Sequence, residues 1–252
     1  MSQVVQNLFD TVERVIARRP LLLVNDWNQR EPLLTKVEGR RTIYTRVQGP
    51  LNQSRPLYSL ISFAIGLPVT LLRLRRIVVA ERITQINVHY PGLNALSWLL
   101  VCRLGRPRPQ LVLSFHGSDL RQACEERGFG RLLWRLLLSG ADEVTACSDP
   151  LRVEIVRAFG AAAPRVRVIN NGVDPTLIAA LAQPAPRDAL PADFILSLAT
   201  IERKKGLDVL IDAFALLAGS RPGISLVLAG RVAEPLYLDA LKVRIAKLPC
   251  GD

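Results

Sequence analysis

The chain has 252 residues, 49% of them hydrophobic and 22% charged, a balance that is typical of a folded globular protein and excludes an intrinsically disordered one. Its formal net charge of +11 favours acidic partners such as phosphorylated ligands, anionic lipid headgroups or nucleic acids. Because no RRM, zinc-finger or basic-zipper pattern accompanies the charge, we expect no nucleic-acid partner.

Short β-rich runs alternate with helical patterns along the N-terminal part of the chain. It starts with an amphipathic helix, in which Asp10 and Glu13 exclude a signal peptide. Helices are also expected around 93–104, 119–138 and 150–159, and this alternation predicts a parallel sheet with crossover helices. The predicted strands are Leu21–Val24, Thr42–Val47, Ile83–His89, Leu111–Phe115, Glu143–Cys147 and Val166–Ile169.

An apolar stretch, Leu57–Leu72, carries no charge and precedes three arginines within residues 73–76. It is shorter than the roughly 20 apolar residues that span a bilayer, and we expect Gly66 and Pro68 to interrupt it. Two interpretations stay open. The stretch is a helix in the protein core, or it is an interfacial helix whose arginines contact anionic headgroups of a membrane.

The amino-acid composition changes after the last predicted strand of the N-terminal part. Residues 181–193 contain three prolines among alanines, which suits an interdomain linker between an N-terminal domain, 1–180, and a C-terminal domain, 194–252. Beyond the linker we expect two β-α units, fewer than the five or six strands of a doubly wound domain, so the C-terminal domain is predicted to be incomplete. The four elements are Phe194–Leu198, Leu207–Leu217, Ser225–Ala229 and Pro235–Lys247.

The segment Ser114–Asp119 (SFHGSD) follows a predicted strand. Ligands of open α/β sheets bind at the carboxyl ends of strands, where the His116 imidazole can hydrogen-bond a sugar hydroxyl or move a proton. Gly117 allows another group to approach the backbone, and Ser118 or Asp119 can cap the next helix. A loop histidine and a simple helix cap explain the same residues equally well.

A second segment, Val168–Asp174 (VINNGVD), follows the last predicted strand of the N-terminal domain. An Asn-Gly pair after a strand forms a turn by default. A structural role is therefore the favoured interpretation of this segment.

A third segment, Ala199–Gly206 (ATIERKKG), lies between a strand and a helix. Arg203, Lys204 and Lys205 are consecutive cations at a helix N-terminus, where the helix dipole disfavours positive charge unless an anion is bound. A phosphate or diphosphate would supply that anion. The charge pattern considered alone favours a different interpretation, in which the three cations are simply solvated and bind no anion.

In order and spacing, these segments resemble the retaining GT-B glycosyltransferases of family 4. The strand leading to His89-Tyr90-Pro91, the HGSD segment, the Ser148-capped helix before Phe159-Gly160 and the NNGVD turn are similar to that family's N-terminal domain. The stretch from Phe194 to Gly230 is similar to the start of its donor-binding domain.

The resemblance implies an α/β protein of the GT-B fold, with two Rossmann-like doubly wound domains. It implies transfer of a sugar from a nucleoside diphosphate sugar to a glycan or lipid-linked acceptor, with retention at the anomeric carbon. The nucleotide sugar would be a co-substrate, and neither a cofactor nor a metal would be needed. The sequence has no Asp-x-Asp triplet, which a metal-dependent transferase would use to hold a diphosphate-bound cation.

The resemblance also implies roles for residues of the third segment. Lys205 would contact the donor diphosphate and stabilise the leaving group, which makes it a candidate catalytic residue. Arg203 and Lys204 would share the diphosphate site. Thr200 belongs to the same site and follows Ala199, where the family usually has a basic residue after a glycine.

In the first segment, the resemblance implies that His116 lies near the donor sugar and is the second candidate catalytic residue. Gly117 and Asp119 would join it in the cleft for sugar and acceptor. No metal ligands are predicted.

Two features of the family are not found in this sequence. No Glu-x7-Glu pair, which in the family grips the donor, follows Gly206, and no opening strand with a glycine-rich loop precedes the first helix. We therefore expect a truncated chain with little or no turnover. A non-catalytic remnant or binding module and a GT-B-like sugar-nucleotide epimerase are the alternative interpretations.

Four scattered cysteines, Cys102, Cys124, Cys147 and Cys250, form no CxxC pair. This pattern predicts buried thiols in a reducing compartment. We therefore expect a cytoplasmic protein, held at the inner face of the plasma membrane if the interfacial interpretation of Leu57–Leu72 applies.

Overall fold

The computed structural model describes residues 3–16, 19–51, 54–163, 165–172 and 190–248. The chain divides into two compact units, Met1–Thr176 and Leu177–Asp252. Buried apolar side chains form a core in each unit. The predicted linker lies outside the described residues except for residues 190–193. The predicted domain bounds, 1–180 and 194–252, therefore stay predictions.

The first helix, α1 (Gln3–Ile16), confirms the amphipathic pattern at the start of the chain. Phe9 on this helix is buried. The Arg40 guanidinium donates two hydrogen bonds to the Asp10 carboxylate, at 2.8 and 2.7 Å. This pairing lowers the pKa of Asp10 below its ordinary value and ties the helix to strand β3 (Arg40–Thr45).

A three-stranded sheet of order β1-β3-β2 follows α1. Strand β1 (Leu22–Asn25) runs parallel to β3, whereas β2 (Leu33–Val37) is antiparallel to β3. Strand β2 is not among the predicted strands. Glu38 and Gly39, with φ values of 51° and 79°, form a two-residue turn of the kind that joins tight hairpins. The parallel arrangement predicted from the alternating pattern therefore does not extend to β2.

The main sheet of the first unit has four parallel strands in chain order, as the alternating pattern predicts. They are β4 (Gln85–His89), β5 (Gln110–Phe115), β6 (Glu143–Ala146) and β7 (Val166–Val168). Helix α3 (Ala95–Leu104) connects β4 to β5, and α6 (Asp149–Phe159) connects β6 to β7. Leu111, Leu113 and Phe115 on one face of β5 belong to the core of the unit.

The single helix expected around 119–138 is two helices, α4 (Ser118–Glu125) and α5 (Gly128–Gly140). Arg127 is extended, and Gly128 has a φ of 52°, a backbone conformation that favours glycine. The apolar periodicity continues through this break and therefore conceals it. The buried Trp134 and Leu137 of α5 pack in the core.

The apolar stretch forms a long helix, α2 (Pro56–Ala80), that continues through Gly66 and Pro68. The expected interruption is therefore wrong. Pro68 is exposed, so water can reach the carbonyl group that a proline leaves without its helical partner. Only the C-terminal part packs into the core, and 11% of the most apolar 18-residue window of α2 is buried. By length and composition α2 could cross a membrane.

In the second unit, strand β8 (Phe194–Leu198) pairs in parallel with β9 (Ser225–Ala229). Helix α7 (Leu207–Ala218) lies between them in the chain, and α8 (Pro235–Ile245) follows β9. Both strands have the predicted bounds, and the helices differ from prediction only at their C-terminal ends. The buried side chains of this core are Ile201, Leu207, Ile211, Tyr237 and Leu241.

The cysteines differ in their environments. Cys102 is buried, and burial raises the pKa of its thiol to about 11. Cys147 is half-buried, whereas Cys124 is exposed, so the prediction of a buried thiol is wrong for Cys124. Cys250 lies outside the described residues.

Candidate functional site

A cluster of three rings lies at the carboxyl ends of β4 and β5. The Nδ1 atom of His89, the last residue of β4, is 3.0 Å from Nε2 of His116, which follows β5. The ring of Tyr90 stacks on His116 with 4.3 Å between ring centroids. Parallel pairing of the strands brings their C-terminal residues to the same edge of the sheet, where α/β proteins bind ligands.

The backbone at Tyr90 is strained. Its φ is 53°, in the left-handed region that non-glycine residues rarely adopt. The Tyr90 N–H donates to the carbonyl of Ser114 at 3.1 Å, which extends the pairing of β4 with β5 by one residue. Such conformations concentrate at functional sites, so the Tyr90 geometry supports a functional interpretation of this edge.

Burial disfavours the protonated form of both histidines. Burial, and secondarily the neighbouring His116, lowers the pKa of His89 to about 4. Burial also lowers the pKa of His116, with partial opposition from Asp119. One neutral ring therefore donates the shared hydrogen bond and the other accepts it. Among the described residues, the buried Nδ1 atom of His116 has no hydrogen-bond partner, so its hydrogen-bonding capacity is unsatisfied there.

The loop that carries His116 is fixed by Asp119. The Asp119 carboxylate accepts hydrogen bonds from the backbone N–H groups of His116, Gly117 and Leu120, at 3.0, 2.7 and 3.1 Å. Asp119 is 5% exposed. Gly117 is the N-cap of α4 and has a φ of 117°, which favours glycine. Neither Ser118 nor Asp119 is thus the N-cap residue, and Asp119 supports the loop from within.

A row of hydrogen-bonded polar side chains, which starts at the exposed Asn87, crosses the sheet just before this edge. The Thr145 hydroxyl donates to the Ser114 hydroxyl at 2.9 Å, and the Ser114 hydroxyl donates to the Asn87 side-chain oxygen at 2.7 Å. Thr145 and Ser114 are both buried. Sequence reasoning missed this row, because three polar residues on separate strands show no pattern until the strands pair.

The NNGVD segment begins shortly after the carboxyl end of β7. Asn170, Asn171 and Gly172 follow β7 and are exposed. The Ile169 N–H donates to the carbonyl of Ala146 at 2.9 Å, which continues the sheet to the start of the segment. Val173 and Asp174 lie outside the described residues, so the predicted turn is described only in its first half.

The second unit carries the cationic segment in the predicted position, between β8 and α7. Arg203, Lys204 and Lys205 form a short 3-10 turn, and Gly206 with a φ of 63° leads into the helix. Thr200 is half-buried at the start of the loop. All four residues that we predicted to bind the donor diphosphate therefore lie in a single loop at the carboxyl end of β8.

The three cations differ in their contacts. Lys204 pairs with the Glu202 carboxylate at 3.1 Å. The Arg203 guanidinium lies over the Tyr237 ring, 5.2 Å from its centroid. Within the described part of the chain, Lys205 makes no ion pair and is exposed. Lys205 is thus the cation whose charge is least compensated, and it suits an incoming anion best.

Residues after β9 complete this edge. The Arg203 N–H lies 3.4 Å from a Glu234 carboxylate oxygen. The two residues line a surface depression of about 430 Å³ together with Ala233, Pro235, Leu236 and Tyr237. Gly230 allows the two strand-end loops to approach, because a Cβ atom there would lie 1.9 Å from the carbonyl oxygen of Ala199. The loop and the depression form the candidate donor site of the second unit.

Tyr237 on α8 contacts the first turn of α7. Its hydroxyl accepts the Asp208 N–H at 3.1 Å and donates to the Asp208 carboxylate at 2.8 Å. This hydrogen bond lowers the pKa of Asp208. One backbone N–H and one negative charge at the helix N-terminus are therefore already engaged, and an anion at this site would rely chiefly on the lysine and arginine side chains.

The predicted site residues thus fall into two groups. His116, Gly117 and Asp119 lie together in the first unit, and Thr200, Arg203, Lys204 and Lys205 lie in one loop of the second. Sequence reasoning gave no role to His89, Tyr90, Glu234 or Tyr237. His89 ends a predicted strand and Tyr90 follows it, which is the signal that could have identified them.

Comparison with known proteins identifies the family. The model described as Glycosyltransferase Family 4 matches residues 32–177, more than half of the chain. A comparison with curated proteins gives no match. Among solved structures, the chain is similar to apo OtsA, with a TM-score of 0.66 and 13% identity over 98% of this chain and 66% of that one.

Two further solved structures give the same result. A structure described as trehalose-6-phosphate from E. coli bound with UDP-2-fluoro glucose has a TM-score of 0.65 and 12% identity, over 98% of this chain and 67% of that one. A UDP-forming alpha,alpha-trehalose-phosphate synthase from Burkholderia xenovorans has a TM-score of 0.62 and 13% identity, over 94% and 66%. At these identities the likeness establishes the fold alone.

This chain spans about two thirds of the length of those structures. The family model matches more than half of the chain, its parallel sheets agree with an α/β fold, and that fold is shared with the solved structures over nearly its whole length. The chain therefore has the GT-B fold and belongs to glycosyltransferase family 4.

Proposed function

We propose that the chain binds a nucleoside diphosphate sugar and takes part in sugar transfer to a glycan or lipid-linked acceptor. The observation that carries this proposal is the cationic 3-10 turn Arg203–Lys205 at the carboxyl end of β8. A similar solved structure is described as bound with UDP-2-fluoro glucose, and another as UDP-forming, which supports a uridine nucleotide sugar as the first donor to test.

The diphosphate would bind at the loop. Lys205, exposed and without an ion pair among the described residues, would neutralise the leaving diphosphate, which is a form of electrostatic catalysis. Arg203 and Lys204 would add positive charge, and the Thr200 hydroxyl would donate a hydrogen bond. With cations supplied by side chains, we propose that transfer needs no metal ion and no cofactor besides the nucleotide sugar.

Within the first unit, the histidine cluster would contact a sugar hydroxyl. A neutral His116 imidazole can exchange hydrogen bonds with a sugar hydroxyl through Nδ1, which has no partner among the described residues. Tyr90 stacks on the same ring, so a ligand would reach it when the Tyr90 side chain swings aside. Gly117 would allow a sugar to approach the loop backbone closely, and Asp119 holds the loop in position. Retention at the anomeric carbon belongs to the same proposal.

We assign this reaction to the cytoplasm. The described cysteines, Cys102, Cys124 and Cys147, are free thiols, which persist in a reducing compartment. The proposal requires no nucleic-acid partner.

Lys205→Ala tests the donor site. We expect the variant to bind UDP-glucose about tenfold or more weakly in calorimetry, because a charge-assisted contact to the diphosphate is lost. Lys242→Ala, an exposed lysine on α8, is the matched control and should bind as the unmodified chain does. Equal affinity in all three proteins would refute the assignment of the diphosphate to this loop, and loss of donor binding on chelation would refute metal independence.

A donor-binding module without turnover is the second candidate, because no Glu-x7-Glu pair follows Gly206 in this sequence. Release of UDP from UDP-glucose by the purified chain separates the two candidates. Turnover would exclude the module, whereas tight binding without UDP release would favour it.

A further inference from the structure

Helix α2 exposes an unusually apolar face. Six large apolar side chains on it are between 52% and 75% exposed. They are Leu57, Tyr58, Ile61, Ile65, Val69 and Leu72. Side chains of this kind are stabilised by leaving water, so a face that presents so many of them marks an interaction surface.

The exposed side chains form one continuous stripe. At about 100° per residue, they and the exposed Ala64 and Pro68 fall within an arc of about 140°. No charged residue lies between Leu57 and Leu72. The stripe is roughly 22 Å long at a rise of about 1.5 Å per residue. The stripe is therefore one continuous apolar surface along the helix, and its side chains are not isolated exposed residues.

Positive charge borders the stripe at its C-terminal end. Arg76 is exposed, continues the stripe by helical spacing, and makes no ion pair among the described residues. The Arg75 guanidinium donates to the carbonyl of Arg106 at 2.7 Å, which brings the loop with the exposed Arg106 and Arg108 beside the helix. Apolar length followed by cations complements a bilayer whose headgroups are anionic.

An apolar groove extends the surface. It has a volume of about 320 Å³ and lies between α2 and α3. Leu72 and Leu104, which line it, are 52% and 74% exposed, and Arg75 lies at the same groove. The groove therefore joins the stripe to the arginine-bearing end of the helix.

The C-terminal part of α2 excludes a spanning arrangement. Leu74, Ile77 and Val78 are buried in the core of the first unit. A helix that crossed the bilayer would have to withdraw these side chains from the core, with a large loss of buried apolar area. The stripe can instead reach lipid while the rest of the helix stays packed, which is the arrangement of an interfacial helix.

We propose that α2 docks the protein on an anionic bilayer, with the Leu57–Leu72 stripe at the boundary between headgroups and acyl chains and the arginines on lipid phosphates. The docking requires no sugar transfer and so stands apart from the proposed function. It would hold the protein where a lipid-linked acceptor is found.

Vesicle sedimentation of the full chain tests the docking. We expect binding to vesicles of phosphatidylcholine and phosphatidylglycerol in equal amounts, and weaker binding to phosphatidylcholine alone. The triple substitution Ile61→Gln, Ile65→Gln and Val69→Gln should weaken binding about tenfold or more, because apolar area no longer enters the lipid. Arg76→Gln should weaken binding to the anionic vesicles about fivefold.

A matched control carries Val209→Gln, Leu216→Gln and Val243→Gln, which replace similarly exposed apolar side chains of the second unit. It should bind like the unmodified chain, and far-ultraviolet circular dichroism should give the same spectrum for all the proteins. Failure of the unmodified chain to bind anionic vesicles would overturn the proposal, as would an equal loss in the control. A dimer in light scattering that only the α2 substitutions dissociate, without vesicle binding, would assign the stripe to a second copy of this chain instead.

Discussion

At the scale of single residues, the ring cluster shows how the environment of a side chain sets its chemistry. A histidine at the end of a strand is an ordinary surface feature in the sequence, whereas His89 and His116 share a hydrogen bond of 3.0 Å in the structure. Burial lowers the pKa of both. The pair therefore stays neutral and polar at the edge where the sheet would bind a ligand.

The low pKa of His89 makes stability depend on pH. The unfolded chain takes up a proton as the pH falls through the ordinary histidine value of about 6.5. The folded chain resists protonation until about pH 4, so stability is lost as the pH falls through this interval. After allowance for partial exposure, we expect a loss on the order of 2 kcal/mol from His89.

His89→Gln tests this linkage, because glutamine keeps a polar side chain and cannot titrate. Urea unfolding at pH 7 and pH 5 should reveal a smaller loss of stability in the variant than in the unmodified chain. Carboxylates titrate equally in both proteins and cancel in the comparison. An identical loss in the two proteins would refute the assigned pKa.

At the scale of secondary structure elements, α2 shows a helix stabilised from one end. Gly66 and Pro68 carry low helix propensity, and from the sequence we expected a break there. The packing of Leu74, Ile77 and Val78 stabilises the helix downstream, and exposure of Pro68 lets water satisfy the backbone. Tertiary contacts therefore override the local preference.

Pro68→Ala should stabilise the protein by about 1–3 kcal/mol, because alanine restores the backbone hydrogen bond that proline lacks. Urea unfolding followed by circular dichroism measures the change. Pro56→Ala is the control, since Pro56 is the first residue of α2, where proline is tolerated, and we expect little effect. A destabilised Pro68→Ala variant would show that the helix needs proline at this position.

At the scale of the whole molecule, the two units have separate cores of different size. The described part of the second unit buries five apolar side chains, whereas the core of the first unit draws on helices α2 to α6 and the main sheet. All three tryptophans, Trp27, Trp98 and Trp134, belong to the first unit. Tryptophan fluorescence therefore reports the unfolding of the first unit alone.

Ile211→Ala should destabilise the second unit by about 2–5 kcal/mol, because Ile211 is 2% exposed in its core. The thermal transition followed by circular dichroism should acquire an earlier phase, while the tryptophan fluorescence transition stays unchanged. Ile155→Ala, a fully buried residue of the first unit, should instead shift the fluorescence transition. Equal shifts of both signals by Ile211→Ala would mean that the units unfold together.

Much of the fold was predictable because strand and helix periodicity survive in the sequence. The bounds of β8 and β9 agree with prediction, and the main sheet runs parallel in chain order. Strand β2 was missed, since the Glu38-Gly39 turn lacks the usual Asn or Asp signal. The break before Gly128 was missed because the apolar pattern continues across it.

The sequence by itself determined the fold class, the order of the loops at strand ends and the cationic turn, because these follow from periodicity and local composition. Only the tertiary structure decided which side chains meet. The pairing of β4 with β5 joins His89 to His116, Asp119 turns inward to the loop backbone, and packing leaves one face of α2 in solvent. Contacts between residues distant in the chain depend on strand register and helix orientation, which no local pattern specifies.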